Sequence, residues 1–81
     1  MIQTVLKRDG RVVGFNEEKI ATAIRKAMLH TDKGEDLQLI HQITDRISFK
    51  GDSQMTVEAI QDLVEVELMK SSRKDVAQKL S

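Results

Sequence analysis

The sequence predicts an α+β fold that is mostly helical, with an N-terminal β-hairpin followed by about four short helices. Three observations support this prediction. An Asp-Gly pair separates two short runs of β-prone residues near the N-terminus. Four later stretches repeat apolar residues at helical spacing, and each follows a residue suited to cap a helix. The chain has 81 residues and no proline, so we expect one domain over residues 1–81 with a modest core.

The hairpin is the first element. The Asp9-Gly10 pair predicts a two-residue type I′ turn, which requires a positive φ at both central residues. Arg8 and Arg11 would then lie almost opposite one another, and like charges at such positions are mildly destabilising. Either both side chains splay into water or an anion lies between them. The predicted strands are residues 2–6 and 11–15.

The first predicted helix begins after Asn16, whose side chain can accept a hydrogen bond from a free backbone N–H. Glu17 and Glu18 follow in the first turn, where negative charge complements the helix dipole. The helix should end near Leu29, because turn-forming residues follow it. Its predicted inward face consists of Ile20, Ile24, Ala27 and Met28.

Two further helices are predicted to begin at Asp36 and Thr56, which are both good capping residues. Apolar residues then recur three and four positions apart, as expected for one buried face of each helix. The predicted inward residues are Leu37, Ile40, Ile43 and Ile47 in the second helix and Val57, Ile60, Val64 and Leu68 in the third.

A fourth helix is predicted from Ser72, because Asp75 follows three residues later as in a capping box. This helix would bury Val76 and Leu80. Its apolar pattern is still running at Ser81, so we expect the chain to be truncated from a longer protein.

Composition excludes several classes of function. The chain has no cysteine and only two histidines, which argues against a metal site and against a cysteine nucleophile. No apolar run approaches the length of a membrane span, and we expect a cytoplasmic protein with no membrane partner. Formal net charge is zero, and two phenylalanines are the only aromatic residues, so nucleic acid is not an expected partner. No arrangement of residues suggests catalysis.

Positive charge is nevertheless concentrated near the hairpin. Lys7 and Arg8 follow the first strand, and Lys19 lies in the first turn of the first helix. A cation there opposes the helix dipole, whereas a bound anion would be attracted by the ammonium group and by free backbone N–H groups. The alternative is that all three cations are solvated and that Glu17 and Glu18 offset Lys19. The residues alone leave both interpretations open.

Two separated stretches resemble the ATP-cone family. The first is Val5-x-Lys7-Arg8-Asp9-Gly10, followed by Phe15-Asn16, Lys19-Ile20, Ala23-Ile24 and Ala27. The second is Met55-Thr56-Val57-Glu58-x-Ile60-Gln61 with Val64-Glu65 and Leu68-Met69, and Asp75-Val76-Ala77 agrees near the end. The resemblance covers nearly the whole chain. It implies a small sheet capping four helices, with a short third strand near Gln54-Met55.

The resemblance also implies a regulatory role. ATP-cones are nucleotide-sensing modules, most often at the N-terminus of ribonucleotide reductase large subunits, and they do no chemistry themselves. The second stretch is most similar to the anaerobic, glycyl-radical reductase, a ribonucleoside-triphosphate reductase. The implied effector is ATP or dATP, and Mg²⁺ accompanying the triphosphate is left open. The implied partners are the remainder of the reductase subunit and its oligomer partners.

Residue roles follow from the same resemblance. The implied phosphate-binding residues are Lys7, Arg8 and Lys19. The implied adenine and ribose pocket consists of Val5, Asn16, Ile20, Phe49, Thr56, Ile60 and Gln61, with Ile47 as a further wall. The alternative function is a small helical interaction module whose basic corner binds nucleic acid or an acidic partner. That alternative includes the cone of the reductase-gene repressor, although the chain has no cysteine for the repressor's zinc ribbon.

Overall fold

A computed structural model describes residues 1–80 and confirms a mostly helical α+β fold. The elements in chain order are β1 (Thr4–Leu6), β2 (Val12–Gly14), α1 (Glu17–Leu29), α2 (Leu37–Lys50), β3 (Gln54–Thr56), α3 (Val57–Lys70) and α4 (Lys74–Ala77). Ser81, where we expected the chain to be cut, lies outside the described residues. Within residues 1–80, no helix is long and apolar enough to cross a membrane.

The hairpin turn differs from the predicted type I′ turn. Gly10 has a φ of 89°, but no described residue other than glycine has a positive φ, so Asp9 does not adopt the conformation that the turn requires. Instead, the Gly10 N–H donates to the Lys7 carbonyl at 2.9 Å, and the Lys7 N–H donates to the Arg11 carbonyl at 2.8 Å. The connection is therefore a three-residue loop with glycine at its left-handed position. The Asp9 carboxylate favours it by accepting from the Arg11 N–H at 3.0 Å.

The sheet has three strands in the order β2-β1-β3. β1 pairs antiparallel with β2, with Val5 opposite Val13, and parallel with β3, with Val5 opposite Met55. The third strand near Gln54-Met55, which the resemblance implied, is thereby confirmed. β1 is the only strand of this sheet that is hydrogen-bonded on both sides, so it joins the hairpin to the start of α3.

The first three helices begin where the capping residues predict. The side chain of Asn16 accepts from the Glu18 N–H at 3.0 Å, that of Asp36 from the Leu39 N–H at 3.1 Å, and that of Thr56 from the Ala59 N–H at 3.1 Å. Below them, one apolar cluster forms the core. Its members are Ile2, Ile24, Ala27, Met28, Ile40, Ile43, Ile47, Ile60, Val64, Leu68 and Val76.

Leu37 was wrongly predicted to face this core. It is the first residue of α2 and is 54% exposed, and the buried face begins one turn later at Ile40. Val57, which was predicted in the buried stripe of α3, is only half-buried. It lines the cavity described below instead of the core.

The fourth helix is shorter than predicted and has a different start. α4 is a single turn, its N-cap residue is Arg73, and no side chain caps it. The predicted capping box from Ser72 to Asp75 is wrong, because the Asp75 carboxylate accepts from the Arg73 guanidinium at 3.2 Å. The same buried guanidinium donates to Thr31 Oγ1 at 2.9 Å and to the Gly34 carbonyl at 2.8 Å. Arg73 therefore fixes the start of α4 against the loop between α1 and α2.

Candidate functional site

A cavity of about 350 Å³ lies between the sheet, α1 and α3. This volume is within the range of about 300–1,000 Å³ that is usual for small-molecule sites. Most of its wall is apolar, and two lysines contribute to it. The lining residues are Val5, Lys7, Val13, Gly14, Phe15, Asn16, Lys19, Ile20, Ala23, Ile24, Val57, Ile60, Gln61, Val64 and Leu80.

The geometry of the elements explains why these residues converge. Alternate residues of a strand face the same side of a sheet, so Val5 and Lys7 point together, and Val13 lies directly opposite Val5 on β2. Lining residues on the helices are spaced by one, three or four positions, which keeps them on one face. They are Lys19, Ile20, Ala23 and Ile24 on α1 and Val57, Ile60, Gln61 and Val64 on α3.

Lys7 and Lys19 give the cavity a positive edge. Both side chains line it, and among residues 1–80 neither forms an ion pair with a carboxylate. Lys19 also lies in the first turn of α1, where the helix dipole adds further positive potential. Two ammonium groups beside a helix N-terminus make an anion favourable at this edge. The arrangement suits a ligand with an apolar ring and a negatively charged tail.

Asn16 and Gln61 are the polar, uncharged side chains that line the cavity in the described part of the chain. The Asn16 side-chain oxygen already accepts from the Glu18 N–H as the helix cap. Its amide group remains a possible donor. No hydrogen bond engages the Gln61 side chain within residues 1–80, so its amide can both donate to a ligand and accept from it.

Arg8 does not line the cavity, although it was predicted beside Lys7 as a phosphate ligand. Its Nε donates to Glu58 Oε1 at 2.6 Å, and this hydrogen bond lowers the pKa of Glu58 below the usual value of 4.5. Arg11 pairs with its neighbour Asp9 at 2.7 Å. The backbone N–H and guanidinium of Arg11 lower the pKa of Asp9 in the same way. Each arginine near the turn is thus paired with a carboxylate instead of splaying freely or sharing an anion.

Phe49, Thr56 and Ile47 were predicted in the pocket, but the structure does not bring them to the cavity. α2 buries Ile47, which is 1% exposed, in the core. Phe49 lies two residues later, about 200° around the helix, and is 75% exposed on the outside. The Thr56 hydroxyl is engaged as the cap of α3. The predicted residues that do meet there are Val5, Lys7, Asn16, Lys19, Ile20, Ile60 and Gln61.

Sequence reasoning missed several lining residues. Val13 could have been found from strand pairing, because it is the partner of Val5, and Val57 from its helical spacing to Ile60 and Gln61. Leu80 carried no such signal, because it follows α4 and reaches the cavity through the tertiary fold alone.

Within residues 1–80, no group of three or more His, Cys, Asp or Glu side chains could hold a metal ion.

Comparison with known proteins identifies the family. The family model described as the ATP cone domain matches residues 3–81. The chain is 44% identical over 73 residues to a vitamin B12-dependent ribonucleoside-diphosphate reductase of Thermoplasma acidophilum, covering 88% of this chain and 9% of that protein. It is 34% identical over 80 residues to a ribonucleoside-diphosphate reductase subunit alpha of Chlamydia muridarum, covering 82% of this chain and 8% of that protein. It thus spans less than a tenth of either relative's length. The chain belongs to the ATP-cone family.

Proposed function

We propose that the chain is an allosteric domain that senses ATP and dATP and does no chemistry itself. The observation that carries this proposal is the apolar cavity with Lys7 and Lys19 at its edge, beside the N-terminus of α1. Residues 1–81 act as one ATP-cone domain. The membership of the family supports this function, since its model is described as an ATP cone domain.

The nucleotide binds with its base in the apolar part of the cavity and its phosphates at the lysines. Val5, Ile20 and Ile60 enclose the adenine ring, which gains from leaving water. The Gln61 amide can pair with the base edge, because adenine offers both a donor and an acceptor there. Lys7 and Lys19 supply charge-assisted hydrogen bonds to the phosphates. Mg²⁺, when present, arrives with the triphosphate and offsets part of its charge.

The whole protein is proposed to be a ribonucleotide reductase large subunit. Both relatives are named as ribonucleoside-diphosphate reductases. The anaerobic, triphosphate-reducing class that the sequence suggested has no support from these names, and we propose the diphosphate-reducing type. The domain acts on the remainder of the subunit and on oligomer partners by shifting the populations of two domain or quaternary arrangements. Each nucleotide can do so by no more than its differential affinity for the two states.

Isothermal titration calorimetry on the 81-residue chain tests the proposal. We expect heat of binding with ATP and with dATP, and much weaker binding of inorganic triphosphate at the same concentration, because the base supplies the apolar contacts. Titrations with and without Mg²⁺ separate the contribution of the metal. An absence of binding for both nucleotides would overturn the proposal.

A mobility-shift series with duplex DNA examines the alternative function. Binding that falls steeply with salt would favour a nucleic-acid module. The zero net charge of the chain predicts no shift.

A further inference from the structure

One ion pair joins two elements of the candidate site. Arg8 Nε, at the tip of the hairpin, lies 2.6 Å from Glu58 Oε1, in the first turn of α3. Arg8 directly follows Lys7, and Glu58 directly follows Val57, and both of those neighbours line the cavity. The pair therefore lies beside the cavity without contributing to its wall.

Ion pairing distinguishes Arg8 from Lys7 and Lys19. Among residues 1–80, Lys7 and Lys19 form no ion pair, whereas Arg8 has Glu58 as a partner. The position of Glu58 in α3 also favours its negative charge. It lies at the N-terminus of a 14-residue helix, where the dipole favours a negative side chain. A carboxylate at this position also repels any anion that approaches Arg8.

We propose that Glu58 determines affinity and phosphate selectivity by competing with the nucleotide for Arg8. This inference rests on the proposed function. A ligand with one phosphate is held by Lys7 and Lys19 and leaves the Arg8–Glu58 pair intact. A triphosphate that extends to Arg8 must displace the Glu58 carboxylate first. Glu58 therefore weakens triphosphate binding and has no effect on the nucleoside.

The size of the effect follows from the exposure of the pair. The two side chains are 75% and 53% exposed, and ion pairs of this kind contribute little in water. Replacing Glu58 should therefore strengthen ATP binding by about 1.5- to 5-fold. The gain should shrink as salt is added, because salt screens exposed charges.

The experiment compares Glu58→Gln with a matched control by calorimetry, using adenosine, AMP and ATP. Glu35→Gln is the control, because it removes an ion pair of the same 2.6 Å length, with Arg25, that involves no residue lining the cavity. We expect Glu58→Gln to bind ATP more tightly and adenosine unchanged, with the control indistinguishable from the parent chain. In an Arg8→Ala background, the gain from Glu58→Gln should be largely lost.

Two outcomes would overturn the inference while leaving the proposed function intact. The first is a parent chain that binds ATP together with a Glu58→Gln variant that binds it equally well or more weakly. The second is a gain of the same size for adenosine as for ATP. A parent chain that fails to bind ATP overturns the proposed function, and the inference with it. Thermal melting of each variant verifies that the fold is retained.

Discussion

The carboxylate of Glu67 on α3 accepts a 2.7 Å hydrogen bond from the guanidinium of Arg46 on α2, although Glu67 is only 6% exposed. Two ammonium groups, those of Lys50 and Lys70, lie 3.8 Å from the same carboxylate. A buried carboxylate is costly unless it is paired. Here three cations surround it, so it joins the second and third helices electrostatically.

Replacing Glu67 should therefore destabilise the fold. Glu67→Gln removes a charge-assisted hydrogen bond and leaves three neighbouring cations without their shared carboxylate. We expect a loss of about 1–3 kcal/mol in the free energy of unfolding, measured with urea. Asp62→Asn on the same helix is the control, since Asp62 is exposed and forms no ion pair within residues 1–80. A loss for Glu67→Gln no larger than that of the control would contradict this role.

Glu67 also predicts how stability depends on pH. Burial acts to raise its pKa, but the Arg46 hydrogen bond and the charges of Lys50, Arg46 and Lys70 outweigh it, so the pKa lies below the usual 4.5. A carboxyl with a depressed folded pKa stabilises the protein fully above its unfolded value. That contribution is lost as pH falls from about 4.5 through the folded pKa. We expect the difference in stability between the parent and Glu67→Gln to narrow over this interval, measured by urea titrations at several pH values.

A second stability test concerns Gly51, which is buried beneath the sheet. A methyl group at this position would clash with Ile2 Cγ1 and would lie 2.8 Å from Met55 Sδ. Gly51→Ala should therefore cost about 1–3 kcal/mol, the usual cost of overpacking. Gly14→Ala is the control, because a methyl group there meets no atom within 4 Å. Equal melting temperatures for the two variants would show that the packing around Gly51 can relax.

The Arg73 guanidinium offers a third test. Arg73→Met keeps an apolar stem but leaves Thr31 Oγ1, the Gly34 carbonyl and the Asp75 carboxylate without their shared donor. We expect a loss of about 1–3 kcal/mol in unfolding free energy, since three partly buried acceptors would lose their shared charged donor. Lys79→Met, which changes an exposed residue near the same end of the chain, should fall within about 0.5 kcal/mol of the parent. Similar losses in both variants would argue against a structural role for Arg73.

Replacing Lys19 should affect ATP binding without lowering the stability of the fold. Lys19→Ala should weaken ATP binding by about tenfold or more, because it removes a charge-assisted contact to phosphate. Its melting temperature should stay the same or rise slightly, since a cation in the first turn opposes the helix dipole. Lys26→Ala, in the last turn of the same helix, should leave binding unchanged. A Lys19→Ala variant that loses stability along with binding would instead show that Lys19 supports the fold.

Replacing Phe49 tests whether the ligand contacts follow the observed cavity or the pocket that the family resemblance implied. It lies outside the cavity and is 75% exposed, so Phe49→Ser should leave the affinity for ATP unchanged in calorimetry. Gln61→Ala, which removes a lining side chain, should weaken binding. Loss of affinity in Phe49→Ser would mean that α2 moves toward the nucleotide when it binds.

Local chemistry explains what the sequence could predict. Asn16, Asp36 and Thr56 cap helices through bonds to residues two or three positions away, so the starts of α1, α2 and α3 were readable. The predicted capping box at Ser72 was wrong because Arg73 binds the distant Thr31 and Gly34, and these contacts set the start of α4 instead.

Some residues of the candidate site could be predicted from the local sequence, whereas others depend on contacts between distant parts of the chain. Lys7 and Lys19 were identified from charge beside a helix start, and the structure places both at the cavity. Phe49 was carried over from the family, but the buried face of α2 turns it outward. Arg8 pairs with Glu58, which lies 50 positions away in the sequence. Neither helical periodicity nor motif spacing predicts such a contact.

The parallel pairing of β1 with β3 has a consequence for folding kinetics. It joins Thr4 to Gln54, 50 positions away, so the sheet closes a loop that contains both α1 and α2. Closing such a loop is entropically costly and slow compared with forming the two helices. The cavity takes its walls from β1 and α3, so it does not exist until that loop has closed. Affinity for nucleotide should therefore appear only after this pairing has formed.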